Sequence, residues 1–274
     1  MIVPTETEPA GSPDTSQATA SDADNEDRAG RLGPFLPQRR EAIFLIGGGL
    51  LGAALGGGGA AYALHSPGAP VRDDEAELSS DEGRERLESG NARYAAGKPV
   101  HADQSVERRE GVADSQTPFA VILSCADSRV PPEVIFDQGL GDLFVVRSAG
   151  QVIDHAVQGS LQYGVEHLKI PLLVVLGHSD CGAVQATVEA IEKKSKPSGT
   201  DVDALIAAIR PAVVEAEETG ADKTNLVSVS TDINVERIVE HLKSVAVLRE
   251  ASTLRKVKIV GAVYSVETGQ VSWL

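Results

Sequence analysis

Four short apolar runs, at residues 119–123, 143–146, 172–176 and 257–263, set the strongest limit on how this chain folds. Each has the length of a strand and lacks in-and-out alternation, which is the pattern of strands buried on both faces. Helical patterns lie between and around them, at 154–168, 183–192, 202–219 and 234–250. Alternation of this kind predicts an α/β domain with a mainly parallel central sheet flanked by helices. The last stretch, 263–274, reads as strand, a Glu267-Thr268-Gly269 turn, and strand, which predicts an antiparallel C-terminal edge strand. Sheet edges need cover, so an oligomer is expected. Only 4% of the residues are aromatic against 42% apolar overall, so the core must be aliphatic. A net charge of -15 argues against nucleic acid and anionic lipid surfaces as partners, because both select clustered Lys and Arg.

The chain ahead of this domain has a different composition. Residues 1–38 are rich in Ser, Thr, Asp, Glu, Pro and Gly, and read as a disordered acidic tail. Arg39-Arg40 then opens onto 42–64, an uncharged, glycine-rich stretch ending in Ala61-Tyr62-Ala63, whose small residues are spaced as at a signal-peptidase site. The span 39–64 resembles a twin-arginine export signal, with a retained membrane anchor through 42–64 as the alternative. Either way the following domain is expected outside the cytoplasm, exported or in the cell envelope. A Pro-, Gly- and acid-rich linker covers 65–80, and the folded domain runs over 81–274. It opens with a surface helix over 83–96, stopped at Gly97 before Lys98-Pro99, an arm lying on a neighbour.

The only two cysteines stand at strand ends, where α/β folds place their ligands. They lie in Ser124-Cys125-Ala126-Asp127-Ser128-Arg129 and Gly177-His178-Ser179-Asp180-Cys181-Gly182. Cys125, Cys181 and His178 form a Cys2His donor set that suits a divalent ion such as zinc and leaves one tetrahedral position open. Two cysteines in an exported protein also allow a disulfide, or one catalytic thiol. The amide of Gly182, at a helix start, is a candidate anion donor.

With these motifs in view the chain resembles the β-class carbonic anhydrases from about residue 83 to 274. Cys125-Ala126-Asp127-Ser128-Arg129 matches the C-x-D-x-R signature and His178-Ser179-Asp180-Cys181 the H-x-x-C signature. Val130-Pro131-Pro132-Glu133, the run 136–147 and Gly182-Ala183-Val184 match around them. The resemblance implies Zn2+ held by Cys125, His178 and Cys181, and hydration of CO2 to bicarbonate by a zinc-bound hydroxide. It makes Asp127 and Arg129 a dyad that orients that hydroxide, with Asp127 a possible fourth zinc ligand in a closed state. Gln116 would bind substrate, while Phe144 and Tyr163 would line a CO2 pocket shared across a homodimer or higher oligomer. His167 sits where some members carry a proton shuttle. Gln151 replaces an expected asparagine, Ser148 precedes Ala149, and Ile122 takes the place of a tryptophan that builds an inhibitory bicarbonate pocket in one subgroup. Rival readings are a carbonyl sulfide or carbon disulfide hydrolase on the same fold, and a non-catalytic exported metal-binding module.

Overall fold

A computed structural model describes residues 78–274, which form the α/β domain. The expected tail, the expected signal or anchor, and the expected linker up to residue 77 lie outside the described residues. In chain order the elements are α1 (Ser80–Ala95), α2 (Val106–Gly111), β1 (Ala120–Cys125), α3 (Pro132–Ile135) and β2 (Leu143–Ser148). A 3-10 turn (Ala149–Gln151), α4 (His155–Glu166), β3 (Leu172–His178), α5 (Gly182–Glu192) and α6 (Val202–Glu218) follow. The domain ends with α7 (Leu226–Ser244), α8 (Ala246–Thr253), β4 (Lys258–Tyr264) and β5 (Val271–Trp273).

The sheet has the order β2-β1-β3-β4-β5, parallel throughout except for the antiparallel β4–β5 pair. The expected architecture is therefore present, including the C-terminal edge strand. Every residue of β1 and β3 is buried, as unbroken apolar runs require. Alternate residues serve opposite faces. Val121 and Leu123 pack with Leu161, Val235 and Leu248 on one side, while Ala120 and Ile122 pack with Leu87 and Phe136 on the other. Fully burying each of the larger side chains, Ala120 excepted, stabilises the fold by about 1.5–3 kcal/mol before chain entropy is counted.

Helix ends follow local chemistry. Ser79 and Glu82 form a reciprocal capping box at the start of α1, so the folded domain begins slightly before the expected 81. Leu78 already packs against the core. The neighbour on which α1 lies is its own domain: Leu87 is fully buried, and Gly90 packs directly on the Phe136 carbonyl, where any side chain would collide. Asp154 caps α4 through the Val157 amide at 2.7 Å. The helix expected over 234–250 starts earlier, at Leu226, and breaks into two at Val245, whose ψ of 123° is extended. Periodicity misses such a break because the apolar stripe continues through it into Leu248. Neither α2 nor α3 was legible; both are too short to show a period. Among the described residues, no helix is long and apolar enough to cross a membrane.

Candidate metal centre and active site

The carboxyl ends of β1 and β3 bring both cysteine strings together. Cys125 is the last residue of β1, His178 the last of β3, and Cys181 caps α5. Their ligand atoms all lie within 4.8 Å of one another, and all three residues are buried. Both thiols are free, so the disulfide reading is not realised. Val184, Val188, Ile209 and Val213 are buried in one apolar cluster with both cysteines.

His178 is oriented for ligation by its own backbone neighbourhood. Its Nδ1 lies 2.9 Å from the Ser179 carbonyl, which can only accept, so Nδ1 carries the proton and Nε2 bears a lone pair. That Nε2 is buried without a hydrogen-bond partner. A buried orphan acceptor beside two thiols is costly for a protein alone and suits a cation. Hydrogen bonding from Cys181 draws the Cys125 thiol down, against burial, and the same contact together with burial pushes Cys181 up. A divalent ion at this place would take both sulfurs as thiolates. Two thiolates, one imidazole and an open fourth position make a donor set for catalytic zinc.

Asp127 and Arg129 form the mouth of this site. The Arg129 amide and Nε donate to Asp127 Oδ1 at 2.9 and 3.0 Å, and Nη2 donates to Oδ2 at 2.8 Å. The Arg129 guanidinium holds the carboxyl well below the usual carboxylate range. Asp127 Oδ2 lies 4.0 Å from His178 Nε2, so the carboxylate borders the trio while turned toward its arginine. Gly182 opens α5 with free space around its Cα, leaving the helix N-terminus accessible.

Other expected site residues are elsewhere in the same subunit. Phe144 pairs with Val121, four positions before Cys125, or about 13 Å along the strand. Tyr163 is exposed and its ring sits 6.2 Å from that of Phe144 and 5.0 Å from that of His167. His167 caps the end of α4. Gln116 is exposed ahead of β1, at the end of the strand remote from Cys125. Phe144, Tyr163 and His167 thus form a row of rings beside edge strand β2, and among the described residues no contact joins Gln116 to them.

Sequence reasoning missed the supports beneath the site. Arg147 donates to the Cys125 carbonyl at 2.9 Å and to the Asp127 carbonyl at 2.6 Å, strapping the C-x-D segment to β2. The Gly150 amide donates to Cys125 Sγ at 3.3 Å. Gly150 has φ of 62°, and a Cβ there would come within 2.6 Å of Ile209 Cδ1. Its glycine identity was the only signal available. Gln151, at the position flagged as unusual, is buried and neither side-chain amide atom has a partner.

Comparison with known proteins agrees with this geometry. The carbonic anhydrase family model matches residues 120–271. Carbonic anhydrase 2 of Mycobacterium tuberculosis is 42% identical over 189 residues, covering 67% of this chain and 87% of that protein. A carbonic anhydrase of Mycolicibacterium smegmatis is 48% identical over 139 residues, covering 51% of this chain and 67% of that one. Among solved structures, a tetrameric β-carbonic anhydrase of Sordaria macrospora superposes with TM-score 0.55 at 26% identity, over 70% of this chain and 95% of its own. The Coccomyxa β-carbonic anhydrase in complex with acetazolamide gives 0.54 at 27%, over 67% and 80%. With its Cys2His centre at the ends of two parallel strands, the chain belongs to the carbonic anhydrase family, in its zinc-using β class.

Proposed function

We propose that Cys125, His178 and Cys181 hold zinc and that the protein uses it to interconvert CO2 and bicarbonate. The observation that carries this reading is the buried, unpartnered Nε2 of His178 within 4.8 Å of two free thiols. When bound there, zinc supplies the Lewis acidity that lets water ionise near neutral pH. Asp127 stays ionised beside Arg129, so it can only accept a hydrogen bond. A hydroxyl group before it is therefore turned with its proton toward the carboxylate and its lone pair toward CO2. The accessible Gly182 amide, at the positive end of an 11-residue helix, favours the bicarbonate product. Stopped-flow CO2 hydration with zinc quantified on the same sample tests the proposal. Zinc-replete protein that leaves CO2 hydration at the uncatalysed rate would refute it.

The working form in this proposal is a homo-oligomer, dimer or larger. Gln116, Phe144 and Tyr163 lie away from the trio of their own chain, with Gln116 and Tyr163 exposed and Phe144 partly buried beside Tyr163, which supports their serving the site of a neighbouring subunit. His167, stacked on Tyr163, would then relay protons from that shared pocket. The proposed location is outside the cytoplasm, with Arg39-Arg40 and 42–64 as a twin-arginine signal or, failing cleavage, an anchor. Thiol chemistry supports the folded-export route, because zinc can occupy Cys125 and Cys181 before they meet an oxidant.

A further inference from the structure

We infer that Asn234, on α7, is a positioning residue for the metal centre, holding the Ala149–Gln151 turn in the conformation that aims the Gly150 amide at Cys125. The inference rests on Cys125 being a zinc ligand. Asn234 is 4% exposed, and its Nδ2 donates to the Gly150 carbonyl at 3.2 Å. The same glycine donates its N–H to Cys125 Sγ at 3.3 Å. Asn234, Gly150 and Cys125 thus form one chain of contacts from a distant helix to the sulfur.

The turn needs such a hold. Gly150 at φ 62° is followed by Gln151 at φ 46°, two successive left-handed residues of which the second has a side chain. Gln151 does not brace the turn, since neither atom of its amide bonds to anything. The Asn234 bond to the Gly150 carbonyl fixes the peptide plane that follows Gly150, and the Val152 amide, donating to the Ala149 carbonyl at 3.4 Å, holds the plane before it. Between them the direction of the Gly150 N–H is set. An N–H directed at a ligand sulfur draws charge from it and orients its lone pairs, which tunes both the strength of the metal bond and the acidity of the ion.

The test uses the full chain with cobalt(II) in place of zinc, whose thiolate-to-metal charge-transfer absorption reports the charge on sulfur, together with zinc release to a chelator. Three proteins are compared: wild type, Asn234→Ser and Thr231→Val. Serine is too short to reach the Gly150 carbonyl. Thr231 is equally buried on the preceding turn of α7 but bonds only to the Val227 carbonyl, so its variant controls for disturbance of the helix. Asn234→Ser is expected to move the charge-transfer band to lower energy and to release zinc about 10-fold faster, while Thr231→Val matches wild type in both. An unchanged Asn234→Ser, or equal changes in both variants, overturns the inference. If Asn234→Ser does not fold, cadmium-loaded wild type answers by NMR: a scalar coupling between the metal and the Gly150 amide proton is expected, and its absence overturns the inference. Wild type lacking any thiolate charge-transfer band would instead refute the ligand set itself.

Discussion

Arg129 reaches the carbonyl oxygen of Asp180 with Nη2 at 3.2 Å while the same nitrogen holds Asp127 Oδ2 at 2.8 Å. One guanidinium therefore ties the C-x-D-x-R segment after β1 to the H-x-x-C segment after β3. Its removal frees the Asp127 carboxylate and also loosens the loop between His178 and Cys181. Charge-assisted contacts of this kind matter less for stability at an exposed site than for holding reacting groups in place.

Cys181→Ala should lose both zinc and activity. A catalytic zinc takes three protein donors, and an alanine leaves only Cys125 and His178. Metal analysis of the purified variant decides the matter: full zinc occupancy would remove Cys181 from the ligand set.

Asp127→Asn should keep zinc yet hydrate CO2 at least about 100-fold more slowly, in the range typical for a lost proton-handling group. The amide can donate as well as accept, so it no longer dictates which way a hydroxyl points. Wild-type turnover in a zinc-loaded Asp127→Asn protein would reduce the dyad to a structural pair.

The pH response of Asp127 follows from its depressed pKa. A carboxyl lowered on folding contributes stability that is present above its unfolded value, about 3.9, and that is lost as pH falls through the lower folded value. Acidification from neutral to pH 5 should therefore leave the Asp127–Arg129 pair intact. Arg129→Ala removes the main cause of the shift and should return the Asp127 titration toward the ordinary range. NMR titration of the Asp127 carboxyl carbon in both proteins checks this, and coincident curves would contradict it.

Gly150→Ala should destabilise the domain by about 1–3 kcal/mol, the cost of a side chain in a left-handed conformation. Close contacts with Ile209 Cδ1 at 2.6 Å and Ala183 Cβ at 3.1 Å add to the strain. The variant should also hold zinc less tightly, because the N–H donor to Cys125 is displaced. Urea unfolding and chelator competition measure the two effects; a stable variant with native zinc affinity would show that the turn is forgiving.

If the proposed twin-arginine signal is correct, replacing both Arg39 and Arg40 with lysine should leave active protein of uncleaved mass inside the cell, because that route reads the arginine pair. Fractionation with an activity assay tells. Normal amounts outside would transfer the assignment to an anchor or to general secretion.

Sequence alone determined the α/β class, the four parallel strands and the convergence of Cys125, His178 and Cys181 as a group that could hold a metal. Those features are local: an apolar run long enough for a strand, a motif of donors at fixed spacing, and a loop that must follow a strand end. Tertiary structure decided what depends on contacts between distant segments. Gly150 became a donor to Cys125 only because β2 lies beside β1, with Ser148 paired to Cys125. Arg147 became a strap by the same pairing, and Asn234 meets the turn only through the packing of α7. The break at Val245 and the docking of α1 on its own domain were also settled by packing. Periodicity records which face of an element is apolar; it carries no record of which partner that face meets.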